Sequence, residues 1–264
     1  MSAQWGSGFS RSKVENRCST TAAARIRLCL LFVFIVTGGG QSKAQDQVPV
    51  VVRTAEAQLE EGRACLNEVM LTIASHILED CIRKDANNAQ CYYDLGRAGS
   101  YIADAKEKRG DKRAAQQSID SAIESTRHSI DLDAGFADAH ALLAELYGRK
   151  IGYGGVLTGM RIGPKAQQEI QRALELDPND PRIYIVIGRR QLYAPRMFGG
   201  DIEKAIESFR KATAVAPHCD EGFVWLAIAY GKQGDSNAAK VAVDEALRLN
   251  KCNPIAREIR SAMK

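Results

Sequence analysis

The residues most able to carry metal or redox chemistry are seven cysteines and four histidines. Two cysteines lie within the first 44 residues, and the other five are Cys65, Cys81, Cys91, Cys219 and Cys252. No Cys-x-x-Cys pair occurs and the spacings match no zinc template, while the histidines are scattered at His76, His128, His140 and His218. We therefore predict no metal site, and we expect the histidines to be structural or solvent-exposed.

Catalytic motifs are missing from the sequence. It contains no nucleophile elbow, phosphate-binding loop, His-Glu-x-x-His or dinucleotide fingerprint. The segment Gly199-Gly200-Asp201 could bind an anion on backbone N–H groups at a helix start, or it could be a tight turn whose Asp caps the next helix. Because Asp201 would itself repel an anion, we favour the turn. We predict a protein that is not an enzyme and needs no cofactor.

The net charge of +4 comes from the N-terminus. Residues 1–44 contain six basic residues and one acidic residue, and the rest of the chain has 30 basic against 31 acidic residues. A nearly neutral body gives no electrostatic reason to bind nucleic acid, so no nucleic-acid partner is predicted.

The N-terminus has the pattern of an export signal. Arg25 and Arg27 precede an uncharged apolar run at 28–36, which is shorter than the roughly 20 residues of a membrane-spanning helix. Small residues at Ser42 and Ala44 indicate cleavage after Ala44. This predicts a signal peptide at 1–44, a linker at 45–54 and an exported, periplasmic or extracellular protein without a membrane span in the mature chain. An uncleaved N-terminal anchor is the alternative.

The rest of the chain has the pattern of paired helices. In its last part, Phe223-x2-Leu226-Ala227-x2-Tyr230 has helical spacing, Gly234-Asp235 predicts a turn, and Ala239-x3-Val243-x2-Ala246 predicts a second helix. This pattern resembles the tetratricopeptide repeat (TPR), a 34-residue helix hairpin.

Small residues late in each second helix mark the series: Cys81, Ser129, Ala173, Ala212 and Ala246. The resemblance implies an all-α, right-handed solenoid of about five TPR helix hairpins plus a C-terminal capping helix. The TPR domain is predicted at 55–264, with repeats at 55–88, 89–136, 137–180, 181–219 and 220–253 and the cap at 254–264.

Three repeats are longer than the family period. The second has its turn at Gly110-Asp111, which predicts two extra helical turns in each arm. The third has a Gly-rich insertion before Pro164, which we expect to begin its second helix. The third and fourth insertions, with Gly163-Pro164-Lys165 and Pro195-x2-Phe198-Gly199-Gly200-Asp201, resemble those of exported bacterial TPR proteins.

An oxidising compartment permits disulfides. Cys81 and Cys91 flank a predicted turn between antiparallel helices, where Cα atoms can approach within about 7 Å, so we predict that they pair. Cys219 and Cys252 lie one repeat apart, where packed helices are about 8–10 Å apart, and are less suited. Cys65 occupies a packing position of the family pattern and is expected to be buried and free.

The resemblance also implies a groove lined by the first helix of each hairpin. Its candidate residues are Tyr93, Arg97, Tyr101, Glu145, Arg149, Arg189, Tyr193 and Lys232. Arg pairs with carboxylates and Tyr offers rigid contact area, so we expect a protein or peptide partner that is acidic or carries carboxylates. An ordinary solvated helix face would contain similar residues and remains the alternative.

The sequence therefore supports two functional hypotheses. The first is a non-catalytic TPR scaffold for protein or peptide binding in the bacterial cell envelope. The second is a small-ligand-binding accessory module of a periplasmic solute-uptake system, with its pocket in the insertions of the third and fourth repeats. The sequence predicts no oligomeric state.

Overall fold

A computed structural model describes the backbone of residues 50–263 and the side chains of residues 52–263. The predicted signal peptide and residues 45–49 lie outside this range. The described residues form helices and turns, without strands. The helices are α1 (Val50–Cys65), α2 (Glu68–Lys84), α3 (Ala89–Lys108), α4 (Lys112–Leu132), α5 (Ala137–Leu176), α6 (Pro181–Tyr193), a 3-10 turn (Arg196–Phe198), α7 (Ile202–Val215), α8 (Asp220–Gln233), α9 (Ser236–Leu249) and α10 (Pro254–Ala262).

The helices form consecutive hairpins of the TPR type, as predicted. They belong to two compact units, residues 50–132 with two hairpins and residues 133–263 with three hairpins and the terminal helix α10. Helix α1 begins at Val50, inside the segment expected to be a linker. The extension has a packing reason, because Val52, Ala55 and Leu59 recur at helical spacing and are all buried.

The second hairpin has the predicted extra length. Helices α3 and α4 contain 20 and 21 residues, whereas α7, α8 and α9 contain 14 each. The turn lies at Gly110, whose φ of +83° is a conformation that glycine adopts without strain. Asp111 follows it and accepts a hydrogen bond from the backbone N–H of Ala114 at 3.0 Å.

The third hairpin turns earlier than predicted. Helix α5 breaks at Gly155, which has φ +67° and ψ −159°, into two antiparallel arms. A Cβ added to Gly159 would lie 3.4 Å from Ile151 Cγ2, although a straight helix would place these residues about 12 Å apart. Pro164 therefore lies inside the second arm, and the prediction that it begins this helix is wrong. Lacking an N–H, Pro164 leaves the carbonyl of Met160 without its usual helical donor.

The small residues of the repeat pattern lie where helices meet closely. Gly188 on α6 faces Phe209 on α7, which is fully buried. A Cβ added to Gly188 would lie 2.5 Å from Phe209 Cε1, a separation that packed atoms do not tolerate. Glycine therefore sets the approach of the two helices in the fourth hairpin.

The terminal helix α10 is attached through a buried carboxylate. Asp220, at the start of α8, has no solvent exposure. Its Oδ2 accepts hydrogen bonds from Asn250 Nδ2 at 2.8 Å and Asn253 Nδ2 at 2.7 Å. Asn253 is also the N-cap of α10, so this contact fixes the start of that helix against α8.

A disulfide joins Cys81 and Cys91, the two cysteines predicted to pair, with their Cα atoms 6.4 Å apart. The bond connects the end of α2 to the start of α3. Cys65, Cys219 and Cys252 are disulfide-bonded as well. The expectation that Cys65 is buried and free is wrong, because this residue is disulfide-bonded and is exposed at the end of α1.

Within residues 50–263, the helices are too short or too polar to cross a membrane.

Candidate functional site

In residues 50–132, the predicted groove residues Tyr93, Arg97 and Tyr101 belong to one internal cluster on α3. Tyr93 is buried, and the side chain of Arg97 is only 12% exposed. Arg97 donates to Asp94 Oδ1 at 2.9 Å and to Glu60 Oε1 on α1 at 2.5 Å. Its guanidinium lies 5.7 Å from the ring centroid of Tyr93 and 5.9 Å from that of Tyr101.

The charged side chains of this cluster interact mainly with one another. Burial acts to raise the pKa of Glu60, but Arg63 and Arg97 outweigh it and hold that pKa below its usual range. Burial raises the pKa of the neighbouring Glu56, and Arg97 offsets only part of the rise. Because Arg97 already bonds to two carboxylates of its own unit, its first role is to join α1 to α3.

In residues 133–263, four side chains from two helices, α6 and α8, form an aromatic and cationic face. Arg189 on α6 donates to Glu145 Oε1 on α5 at 2.9 Å, and its guanidinium lies 4.6 Å from the ring centroid of Trp225 on α8. Lys232 Nζ, on α8, lies 4.4 Å from the ring centroid of Tyr193. The rings of Tyr193 and Trp225 meet edge to face with centroids 6.3 Å apart.

This aromatic face, defined by Arg189, Tyr193, Trp225 and Lys232, differs from the Arg97 cluster in exposure. Tyr193 is 56% exposed and Lys232 is exposed, and among the described residues no carboxylate pairs with Lys232. Burial raises the pKa of Tyr193, with Arg189 acting against the rise, so the phenol remains a neutral donor at ordinary pH. The face therefore offers ring area, a hydroxyl donor and an accessible ammonium group.

Of the other two predicted groove residues of this unit, Glu145 is the partner of Arg189, and Arg149 is buried and contributes little accessible surface. Trp225 was not predicted, although its ring links Arg189 to Tyr193. In the sequence it lies between Val224 and Leu226, both buried, and it has the pattern of another core residue. The sequence feature that could have assigned Trp225 to the groove is its position two residues after Phe223, one of the signature residues of this helix.

The Gly199-Gly200-Asp201 segment is a capped turn. Gly199 has φ +87°, and a Cβ added to Gly200 would lie 1.8 Å from the carbonyl oxygen of Ala194. Asp201 Oδ1 accepts from the backbone N–H groups of Glu203 and Lys204 at 3.0 and 3.1 Å. The side chain occupies the N-terminus of α7, so the predicted capping role of Asp201 is confirmed.

A cleft of about 670 Å³ is lined by residues of the first unit, whereas both insertions belong to the second unit. It forms where the longer helix α3 projects past the first hairpin. Its walls include Leu66, Val69, Ile73, Ala105 and Lys108. The described His, Cys, Asp and Glu side chains form no group able to hold a metal ion.

Consecutive helix hairpins of this type define a tetratricopeptide-type protein. The chain belongs to the family described as "Regulator of microtubule dynamics protein 1-3", whose sequence model matches residues 51–264. No curated protein matches the chain.

Solved structures support the fold. The chain is similar to TTC0263, a thermophilic TPR protein in Thermus thermophilus, with 16% identity, a TM-score of 0.58, and coverage of 79% of this chain and 98% of that one. It is also similar to a chain of the APC/C hetero-tetramer Cut9-Hcn1, with 17% identity, a TM-score of 0.52, and coverage of 81% of this chain and 36% of that one. At these identities the similarities establish the helix-hairpin fold alone.

Proposed function

We propose that this protein is a non-catalytic scaffold that binds a polypeptide partner in the bacterial cell envelope. The observation that carries the proposal is the aromatic face on residues 133–263, where Tyr193 is more than half exposed beside Trp225 and two cations. Tyr, Trp and Arg are the side chains that contribute most energy at protein interfaces. The TPR fold and membership of a family described by microtubule regulation support a polypeptide partner, since microtubules are protein polymers.

The chemistry of the face favours a partner segment with a carboxylate and an apolar side chain. Lys232 can pair with a carboxylate without losing another ion pair. Arg189 uses Nη1 for Glu145, and its other N–H groups remain for a second acceptor. Arg97 does not belong to this binding chemistry, because its guanidinium is buried between Glu60 and Asp94.

Location in the envelope follows from the export signal proposed for residues 1–44. A cleaved signal predicts that protein recovered from the periplasm begins at Gln45. N-terminal sequencing tests this, and exported protein that begins at Met1 would support the uncleaved anchor instead.

The binding proposal can be tested without a known partner. A phage-displayed random peptide library is selected on the purified protein, and an enriched peptide is titrated against Tyr193→Ala and Lys232→Ala. We expect each change to weaken binding about tenfold, as for side chains near the centre of an interface. Val241→Ala is the control, because Val241 is 72% exposed on α9 and lies outside the aromatic face. Equal affinity of all variants would reject the face as the site.

Co-sedimentation with polymerised tubulin examines the activity named in the family description. If the chain binds tubulin and Tyr193→Ala abolishes this binding, the aromatic face would still be the polypeptide site. The partner would then be of the tubulin type and not a protein of the envelope. Absence of tubulin binding with a positive peptide titration would retain the proposal as stated.

A further inference from the structure

The insertions of the third and fourth hairpins expose large apolar side chains. In the third, Val156, Leu157 and Met160 are 61, 82 and 63% exposed. In the fourth, Met197 and Phe198 are 83 and 44% exposed. We call these five residues the apolar edge. The aromatic face does not include them, and the repeat packing does not need them.

The three residues of the third hairpin point away from its core. The second arm of α5 buries Ile162, Ala166 and Ile170, which recur every four residues. At 100° per residue, Leu157 and Met160 lie on the opposite side of this arm. Their exposure therefore follows from the helical register, and the hairpin extends beyond its packed part with an apolar outer surface.

The two insertions lie at the same end of their hairpins. The Arg190 guanidinium on α6 hydrogen bonds to Gln167 on the second arm of α5, and a Cβ added to Gly199 would lie 3.4 Å from Arg190 Nη2. The fourth insertion therefore rests beside the base of the third hairpin. Gln167 lies 11 residues after Val156, so the tip projects about 16 Å past this contact.

Along the chain, the two segments that carry the apolar edge contain charges of one sign. Residues 146–168 contain four basic and no acidic residues, and residues 183–200 contain three basic and no acidic residues. Arg161, Lys165 and Arg196 are exposed. The nearest carboxylate along the chain, Asp201, caps α7 and has Lys204 Nζ 3.8 Å from its Oδ2.

From this combination we infer that the apolar edge docks the protein on an anionic lipid surface. Protruding apolar side chains on a convex tip enter the headgroup region of a bilayer, which deforms around them, while the flanking Arg and Lys side chains attract anionic lipids. A folded protein partner would instead need a concave pocket for each protruding side chain. This activity is separate from the polypeptide site, since it uses different residues.

The first test is vesicle co-sedimentation of the full chain with phosphatidylcholine alone and with equal parts of phosphatidylcholine and phosphatidylglycerol. We expect stronger binding to the anionic vesicles, weakening with added salt. Leu157→Asp and Met197→Asp should each reduce this binding about tenfold, because a carboxylate replaces an inserted apolar side chain. Val241→Asp is the matched control and should bind like the unmodified chain.

A second measurement locates the contact, since the apolar run at 28–36 is present in every variant. Leu157→Trp and Val241→Trp are compared with vesicles whose acyl chains are brominated, which quench only tryptophans that enter the bilayer. We expect added quenching at position 157 and none at position 241. Equal quenching at both positions, or none at 157, would overturn the inference. Binding of soluble polyglutamate would overturn the inference as well, if that binding is tight and Leu157→Asp abolishes it while vesicle binding is unchanged. The edge would then recognise an acidic polypeptide.

The lipid and polypeptide proposals can fail separately. Leu157→Asp should leave the affinity for the selected peptide unchanged, and Tyr193→Ala should leave vesicle binding unchanged. Loss of both activities in both variants would indicate damage to the fold, which circular dichroism of each variant detects.

Discussion

The guanidinium of Arg189 lies 4.6 Å from the ring centroid of Trp225, and the side chain remains 22% exposed although it also bonds to Glu145. Arg97 occupies the equivalent repeat position in the first unit, but its side chain is only 12% exposed. One repeat position therefore has two physical roles. In one unit it is an accessible cation on an aromatic ring, and in the other it is the centre of a buried charge cluster.

This difference predicts that alanine substitution at the two positions has unequal effects on stability and on peptide binding. Arg97→Ala removes the cation that Glu60 and Asp94 share, leaving Glu60 with Arg63 alone, and should lower the free energy of unfolding by about 3 kcal/mol. Arg189→Ala removes a more exposed pair and should cost about 1 kcal/mol or less, while weakening binding of a carboxylate-bearing peptide. Urea unfolding and peptide titration of both variants measure this. Equal losses of stability would show that the two positions are equivalent.

The buried His140 predicts a pH-dependent stability. Its Nδ1 lies 2.6 Å from Glu169 Oε2 and its Nε2 lies 3.2 Å from the Ala134 carbonyl, so both nitrogens face acceptors and both donate when the ring is protonated. Burial acts to lower the pKa of His140, but the Glu169 carboxylate outweighs burial and raises it above its ordinary value. The stabilisation is complete below about pH 6.5 and is lost as the pH rises through the higher folded-state value.

Thermal unfolding between pH 5 and 8 tests this expectation. The melting temperature should fall with rising pH in the unmodified protein, and His140→Gln and Glu169→Gln should both flatten the dependence. His76→Gln is the control, because His76 is exposed. A slope that survives in both cluster variants would place its origin elsewhere.

The close packing at Gly188 predicts that two glycine-to-alanine substitutions change the free energy of unfolding in opposite directions. Gly188→Ala brings a methyl group against Phe209 and should destabilise the protein by about 1–3 kcal/mol. Gly231→Ala lies in the interior of α8 with no atom within 4 Å of the added Cβ, so it should stabilise the helix by about 0.5–1 kcal/mol. Chemical denaturation of the pair checks this. A neutral Gly188→Ala would mean that α6 and α7 separate without cost.

The Asp220 contact predicts that the terminal helix can be loosened by one substitution. Asp220→Ala removes the acceptor of both Asn250 and Asn253 and should cost about 3 kcal/mol, since it leaves two amide groups without their charged partner. Asp235→Ala, which removes only the exposed cap of α9, should cost about 1 kcal/mol. Hydrogen exchange should show faster exchange confined to α10 and its contacts in Asp220→Ala. Uniform protection in that variant would contradict the assigned anchor.

The sequence alone predicted the features that depend on local chemistry and periodicity. Apolar spacing indicated the helices, small residues such as Gly188 marked the close contacts, and Asp201 was correctly assigned as a cap. The two extra turns of the second hairpin followed from counting residues to Gly110. These features lie within a few residues of their cause, so neighbours along the chain specify them.

The tertiary structure determined the features that depend on which helices pack together, namely the partners and the burial of individual side chains. Arg97 and Arg189 have the same sequence context, but only packing places Glu60 against one and Trp225 against the other. Pro164 was expected to begin a helix, but the contact of Gly159 with Ile151 allows Gly155 to turn the chain first. The exposure of Leu157 and Met197 likewise depends on the surfaces that neighbouring hairpins leave uncovered. Residue type determines what a side chain can do, whereas its burial and partners come from residues distant in sequence.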